Sequence, residues 1–124
     1  MSILFLKAYG RLIFFDLYLA RGNFAALYEQ VRRCPVGNRT GLLEATARIC
    51  AAVDMACIWY PKQVLCLQRS AATACLLRQY GVRAEMVIGA QQLPFKAHAW
   101  VEAGGQVVND KPYTPEMYQV LDRC

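Results

Sequence analysis

Histidine occurs once in this 124-residue chain, at position 98, and the six cysteines include no Cys-x-x-Cys pair. Zinc centres draw several His and Cys ligands from short spacings, so no metal site is expected, and no other cofactor. Charge is also scarce. Asp, Glu, Lys and Arg make up 19% of the residues, and the net charge of +5 comes from scattered lysines and arginines. Without a basic run there is no nucleic-acid arm, and diffuse basicity suits an acidic peptide or partner better than DNA. Long apolar runs are missing too. A bilayer span takes roughly 20 predominantly apolar residues, and Lys7, Arg11, Asp16 and Arg21 interrupt the stretch that approaches this. Contact with a membrane surface is the lesser alternative for that segment. The opening residues lack the charged start and small-residue cleavage site of a secretory signal. No low-complexity linker or internal repeat divides the chain.

What is abundant is apolar surface. Hydrophobic residues make up 56% of the chain, a high share that leaves some apolar area to be covered by a partner protein or a membrane surface. Cys50, Cys57, Cys66 and Cys75 lie within apolar helical patterns, where free cysteine behaves as a small hydrophobe. With no secretory signal, this predicts a reduced cytoplasmic protein without disulfides, associated with a membrane at most through a complex.

The chain reads as a single domain over 1–124, with a helical layer over 1–60, a core over 61–112 and a C-terminal segment over 113–124. Ser2 would cap a first helix running to about Ala20 and broken or bent near Gly10. Asn23 would cap a second, from Phe24 to about Arg33, and Cys34-Pro35-Val36-Gly37-Asn38 is a loop by composition. Thr40 would start a third, in which Leu42, Leu43, Thr46, Ile49, Cys50, Val53 and Cys57 recur at helical spacing. Residues 64–80 form a helix that is apolar almost all round, as buried helices are. It is expected to begin within 62–65, after Pro61, and to end at Gly81 in a left-handed C′ position.

Downstream the period changes to two. Val82, Ala84, Met86 and Ile88 alternate with Arg83, Glu85 and Val87 in a strand ending near Gly89. Residues 96–102 form a second strand, and Gln106 to Asn109 or Asp110 a third. Glu116 to Leu121 reads as a short terminal helix. A helical N-terminal half followed by a small antiparallel sheet is an α+β fold.

Cys66 falls in or near the first turn of the apolar helix, where unpaired N–H groups and the positive end of the dipole favour thiolate. His98 follows on one strand and Asn109-Asp110 at the end of the next. Cysteine on a buried helix, then histidine, then carboxylate or amide is the order of a papain-like or transglutaminase-like nucleophile site. Judged singly, each residue has a plainer reading. Cys66 would be one more core thiol, and Trp100 and Phe95 core residues. Arg69 would pair with Glu85 or Asp54, and Glu102 would be a solvated strand residue. Cys75, more than two helical turns from Cys66, would serve as the control thiol.

Cys66-Leu67-Gln68-Arg69-Ser70, Val87-Ile88-Gly89, Pro94-Phe95, His98-Ala99-Trp100-Val101-Glu102 and Asn109-Asp110 together resemble the B2-type leader peptidases of lasso peptide biosynthesis. These belong to the transglutaminase-like cysteine protease superfamily. The resemblance covers about residues 60–112 and implies a bacterial cytoplasmic hydrolase that removes the leader from a ribosomally made precursor peptide. It places the nucleophile on Cys66, the base on His98 and the orienting carboxylate on Asp110. It also implies partners. A small leader-binding protein of B1 type (a RiPP recognition element) is expected as a separate chain, and a separate ATP-dependent lasso cyclase uses the freed amine. No side-chain oxyanion donor is obvious. Gln63 is a weak candidate, and the backbone N–H near Cys66 the safer one. Acyl transfer to an amine, and a non-catalytic scaffold binding through apolar helices, are the competing functions.

Hairpin register decides between Asp110 and Asn109 as the residue that orients His98. A two-residue Gly104-Gly105 loop would set Ala103 opposite Gln106, turning Asp110 away from His98 and Asn109 toward it. A three-residue loop, Ala103-Gly104-Gly105, would set His98 opposite Asp110. The three-residue loop is the expectation here, because the resemblance favours Asp110.

Overall fold

A computed structural model describes residues 3–37, 43–92 and 94–124 of the chain. The expected Ser2 cap, Thr40 start and Leu42 position lie outside these residues. Helix α1 (Ile3–Ala20) is one helix that continues through Gly10. It buries Ala8, Leu12 and Phe15 along one face and leaves Ile3, Leu6, Ile13, Phe14 and Leu17 exposed on others. Helix α2 (Phe24–Arg33) starts where the Asn23 side chain accepts the Ala26 N–H at 3.1 Å, and it buries Leu27 and Val31. Helix α3 (Leu43–Trp59) turns Ile49, Val53 and Ala56 inward at the same helical period. No helix among the described residues is long and apolar enough to cross a membrane.

Helix α4 (Cys66–Gln79) is the centre of the molecule, touching all three preceding helices and the sheet. Ala71, Ala72, Thr73, Ala74 and Cys75 are buried, and their small side chains let neighbours approach from every side. Leu76 and Leu77 are wholly buried, each worth roughly 1.5–3 kcal/mol over exposure. The buried polar residues of this helix, Gln68, Ser70, Thr73 and Arg78, find acceptors. Gln68 donates to the Leu12 carbonyl at 2.9 Å, and Arg78 donates to Ala84 at 2.8 Å and Val31 at 2.5 Å, tying α2, α4 and the sheet together. The helix stops at Gly81, φ +88°, where Val82 N–H reaches back to Leu77 and Gly81 N–H to Arg78, both at 3.0 Å. That is the paired-bond ending that a left-handed glycine permits.

Strands β1 (Ala84–Gln92), β2 (Phe95–Ala103), β3 (Gln106–Val107) and β4 (Gln119–Arg123) form one antiparallel sheet ordered β3-β2-β1-β4. The fold is α+β. Ala84, Met86 and Val101 face the helical core, while Val87 and Trp100 are buried on the opposite face. Three details differ from the sequence reading. Strand β1 runs on past Gly89 to Gln92, and β3 stops at Val107 instead of reaching 109 or 110. The expected terminal helix is a single turn, α5 (Thr114–Met117), and the residues beyond it are β4. So short a segment has little helical stability of its own, whereas the free edge of β1 offers backbone partners. Met86 and Cys124 exchange both backbone bonds there, at 2.8 and 2.9 Å.

The cysteines also differ. Cys34, just past α2, is bonded to Cys75 on α4, with Cα atoms 5.5 Å apart, while Cys50, Cys57, Cys66 and Cys124 are free. The expectation of a wholly reduced chain is corrected on this pair. The two positions lie 41 apart in sequence and come together only because α2 packs on α4, so spacing carried no sign of it.

Candidate active site

Cys66 is the first residue of α4, preceded by the extended Leu65, which supplies no side-chain cap. The Leu65 carbonyl accepts the Arg69 N–H at 3.0 Å, which closes the first turn. The N–H groups of Cys66, Leu67 and Gln68 therefore have no acceptor within the helix. Negative charge arising on the sulfur or on an adjacent oxygen meets these donors and the positive end of the helix dipole. Cys66 and His98 line one small open cavity of about 100 Å³, together with Leu67, Ile88, Ala97 and Ala99. Gln63 is exposed and lines a neighbouring recess with Asp16, Lys62 and Gln68, apart from that cavity.

His98 Nε2 lies 2.5 Å from Asp110 Oδ2, and the other carboxylate oxygen accepts the Lys111 N–H at 2.8 Å. Partial burial alone would raise the Asp110 carboxyl. The bonds from His98 and the Lys111 N–H outweigh it and hold the carboxyl below its ordinary value. The imidazole stacks on Trp100, centroids 6.0 Å apart, and on Tyr118 at 5.2 Å, and those two rings lie 5.9 Å from each other.

This arrangement does not use the expected loop. Ala103 pairs with Gln106 and Glu102 with Val107, so the hairpin turns on Gly104 and Gly105 alone, at φ +61° and +77°. Two left-handed glycines in succession suit a two-residue turn. In a regular ladder that register would carry Asp110 to the wrong face. The ladder is not regular. Val108 N–H still bonds the Val101 carbonyl at 2.9 Å, but Val101 N–H goes to the Asn109 side chain at 2.7 Å. A side chain thus replaces the next main-chain acceptor, the strand ends, and Asp110 is delivered to His98. Asn109, the alternative partner for His98, spends its amide on Val101 and Ser70 instead.

Two neighbours were misjudged or missed. Glu102 is buried, accepts the Trp100 indole N–H at 2.8 Å and pairs with Arg123 at 2.7 Å. Burial pushes its carboxyl up, but those two donors bring it below the ordinary value. The expectation of a solvated Glu102 is corrected: Arg123, at the end of the edge strand β4, reaches across the sheet to it. Gly89, opposite His98, carries the second lesson. A Cβ there would lie 2.6 and 2.8 Å from the Trp100 ring and 2.8 Å from Tyr118 Cβ. Gly89→Ala is expected to cost about 1–3 kcal/mol by overpacking. A melting temperature unchanged from wild type would refute that reading.

Acid should loosen the same region. Asp110 and Glu102 both have lowered carboxyls, so their stabilisation is present above the ordinary carboxylate range and lost as pH falls through the depressed values. Thermal stability is expected to hold down to about pH 5 and then decline below about pH 4. Glu102→Gln should flatten that decline; an identical pH profile would count against it.

A thiol at a helix N-terminus that lines one recess with an aspartate-bonded histidine, on an α+β frame, is similar to the nucleophile arrangement of transglutaminase-like proteins. A family model described as the Transglutaminase-like superfamily matches residues 11–123, and the chain belongs to that superfamily. More particularly, it is 41% identical over 56 residues to the Microcin J25-processing protein McjB of Escherichia coli. That match spans 45% of this chain and 27% of McjB. No solved structure matches the chain.

Proposed function

We propose that this chain is a cysteine peptidase that removes the leader from a lasso peptide precursor. The observation that carries the reading is the shared cavity of Cys66 and His98, with Asp110 bonded to the imidazole. The name of McjB, a processing protein for microcin J25, supports the substrate class. Neutral His98 donates its Nε2–H to Asp110, which leaves Nδ1 as the base. Nδ1 takes the thiol proton of Cys66, and the thiolate attacks the carbonyl of the last leader residue. The tetrahedral oxyanion is met by the backbone N–H of Cys66, while Gln63 lines a different recess. The imidazolium then protonates the departing amine of the core peptide. Water, deprotonated by the same imidazole, cleaves the acyl-enzyme and restores the thiol. A leader-binding B1-type protein would present the precursor, and an ATP-dependent cyclase would consume the freed amine.

The test is mass spectrometry of a leader-bearing precursor incubated with the chain, with and without the leader-binding protein. Leader and core products of the hydrolytic masses are expected. An intact precursor in both incubations would overturn the reading in favour of a scaffold. A leader joined to an added amine, with no free acid, would replace hydrolysis by acyl transfer.

A further inference from the structure

The helix that carries Cys66 also carries, one turn further on, the side chains that hold the rest of the site. Ser70 is buried and donates its hydroxyl to the Ala99 carbonyl at 3.0 Å, the residue next to His98. The same hydroxyl accepts the Asn109 amide N–H at 3.1 Å, the residue next to Asp110. Arg69 donates to the Asn109 backbone carbonyl and pairs with Asp54 of α3 at 3.2 Å. Asn109 in turn caps Val101 N–H and ends β3. The bonds to Ala99 and Asn109 fall on the immediate chain neighbours of His98 and Asp110, and none involves the side chain of Cys66, His98 or Asp110.

We infer that Asn109, Ser70 and Arg69 form a positioning clamp that takes Asp110 out of strand register and fixes it, with His98, relative to the Cys66 helix. The proposal rests on the reading of Cys66, His98 and Asp110 given above, but its geometry can be tested without activity. The two-residue turn would otherwise face Asp110 away from His98, so the bond between them exists only while Asn109 interrupts the ladder. Both polar ends of the Asn109 amide are used, and a buried side chain with each atom satisfied has one orientation. Ser70 turns that orientation into a fixed distance from α4.

Because His98 is the only histidine, its ring nitrogens give one pair of 15N signals in the full-length protein. With the imidazole neutral and Nε2–H held by Asp110, the two signals should be far apart, the signature of one tautomer. Asn109→Ala and Ser70→Ala are expected to draw them together as tautomers mix, as Asp110→Asn should. Thr73→Ala, which removes a buried hydroxyl bonded only to Arg69 of its own helix, should leave them unchanged. On precursor, the two clamp variants should lose on the order of 10²-fold in kcat, with KM little altered. Ser70→Thr, which keeps the hydroxyl, should recover most of that loss.

Well-separated signals in folded Asn109→Ala and Ser70→Ala would overturn the clamp. So would a fall in kcat with the tautomer intact. If Asn109→Ala does not fold, Ser70→Ala decides alone. Wild type that cleaves nothing yet loses its single tautomer in both variants would overturn the peptidase reading and uphold the clamp.

Discussion

Cys66→Ala is expected to leave a folded protein whose cleavage of precursor falls on the order of 10⁶-fold, the usual result of deleting a covalent nucleophile. On the proposed mechanism, loss of the sulfur removes the atom that forms the acyl-enzyme, so no partner or substrate concentration should restore the rate. Stability should change little. The side chain is only partly buried and opens a helix, and alanine is the best helix former. His98→Ala should fall by ~10²–10⁴-fold, the share that general base catalysis typically supplies. The control must be chosen with the crosslink in mind. Cys75 is bonded to Cys34, so replacing it mixes the loss of a thiol with the loss of a tether. Cys57 on α3 is free, and burial pushes its thiol up, away from reactive thiolate. Cys57→Ala should therefore cleave at close to the wild-type rate. Equal losses from Cys66→Ala and Cys57→Ala would show a structural origin and remove Cys66 from the mechanism.

Breaking the Cys34–Cys75 bond is the largest stability change expected. The bond closes a loop across 41 positions. In the chain-entropy model a loop of that length restrains the unfolded state by about 4 kcal/mol. Cys34→Ser is the better variant, because Cys34 is partly exposed and Cys75 wholly buried within α4. Denaturant unfolding of the oxidised protein, the same protein with a dithiol reductant, and Cys34→Ser should give one higher midpoint and two similar lower ones. Three equal midpoints would mean that the crosslink contributes nothing to stability.

Residues whose neighbours lie close in sequence were the ones whose placement could be read in advance. The Asn23 cap, the apolar α4 and the Gly81 ending are local patterns, and each stands in the structure where its chemistry put it. Cys66 at a helix N-terminus and His98 on the following hairpin were legible from local pattern, while Asp110 over Asn109 was expected only from the family resemblance. What depended on distant partners was not. Glu102 looks solvent-facing until Arg123 returns on β4, and β4 itself looks helical until the edge of β1 is there to pair with it. The Cys34–Cys75 bond needs two helices already packed. The hairpin is the sharpest case. The loop length was misread, yet Asp110 still meets His98, because a side chain, Asn109, interrupts a ladder that register rules take as regular. Period-two counting has no means of seeing that.

Gly89 carries a consequence for how such a chain can vary. The space its missing side chain leaves is filled by the Trp100 ring and the Tyr118 Cβ. These three positions share one fixed volume, and His98 stacks on two of them. A side chain gained at 89 must be matched by bulk given up at 100 or 118, so the three should change together across descendants of this sequence or not at all. Gly89→Ala combined with Trp100→Phe should accordingly be more stable than the sum of the two single changes allows, a coupling that a double-mutant cycle measures directly.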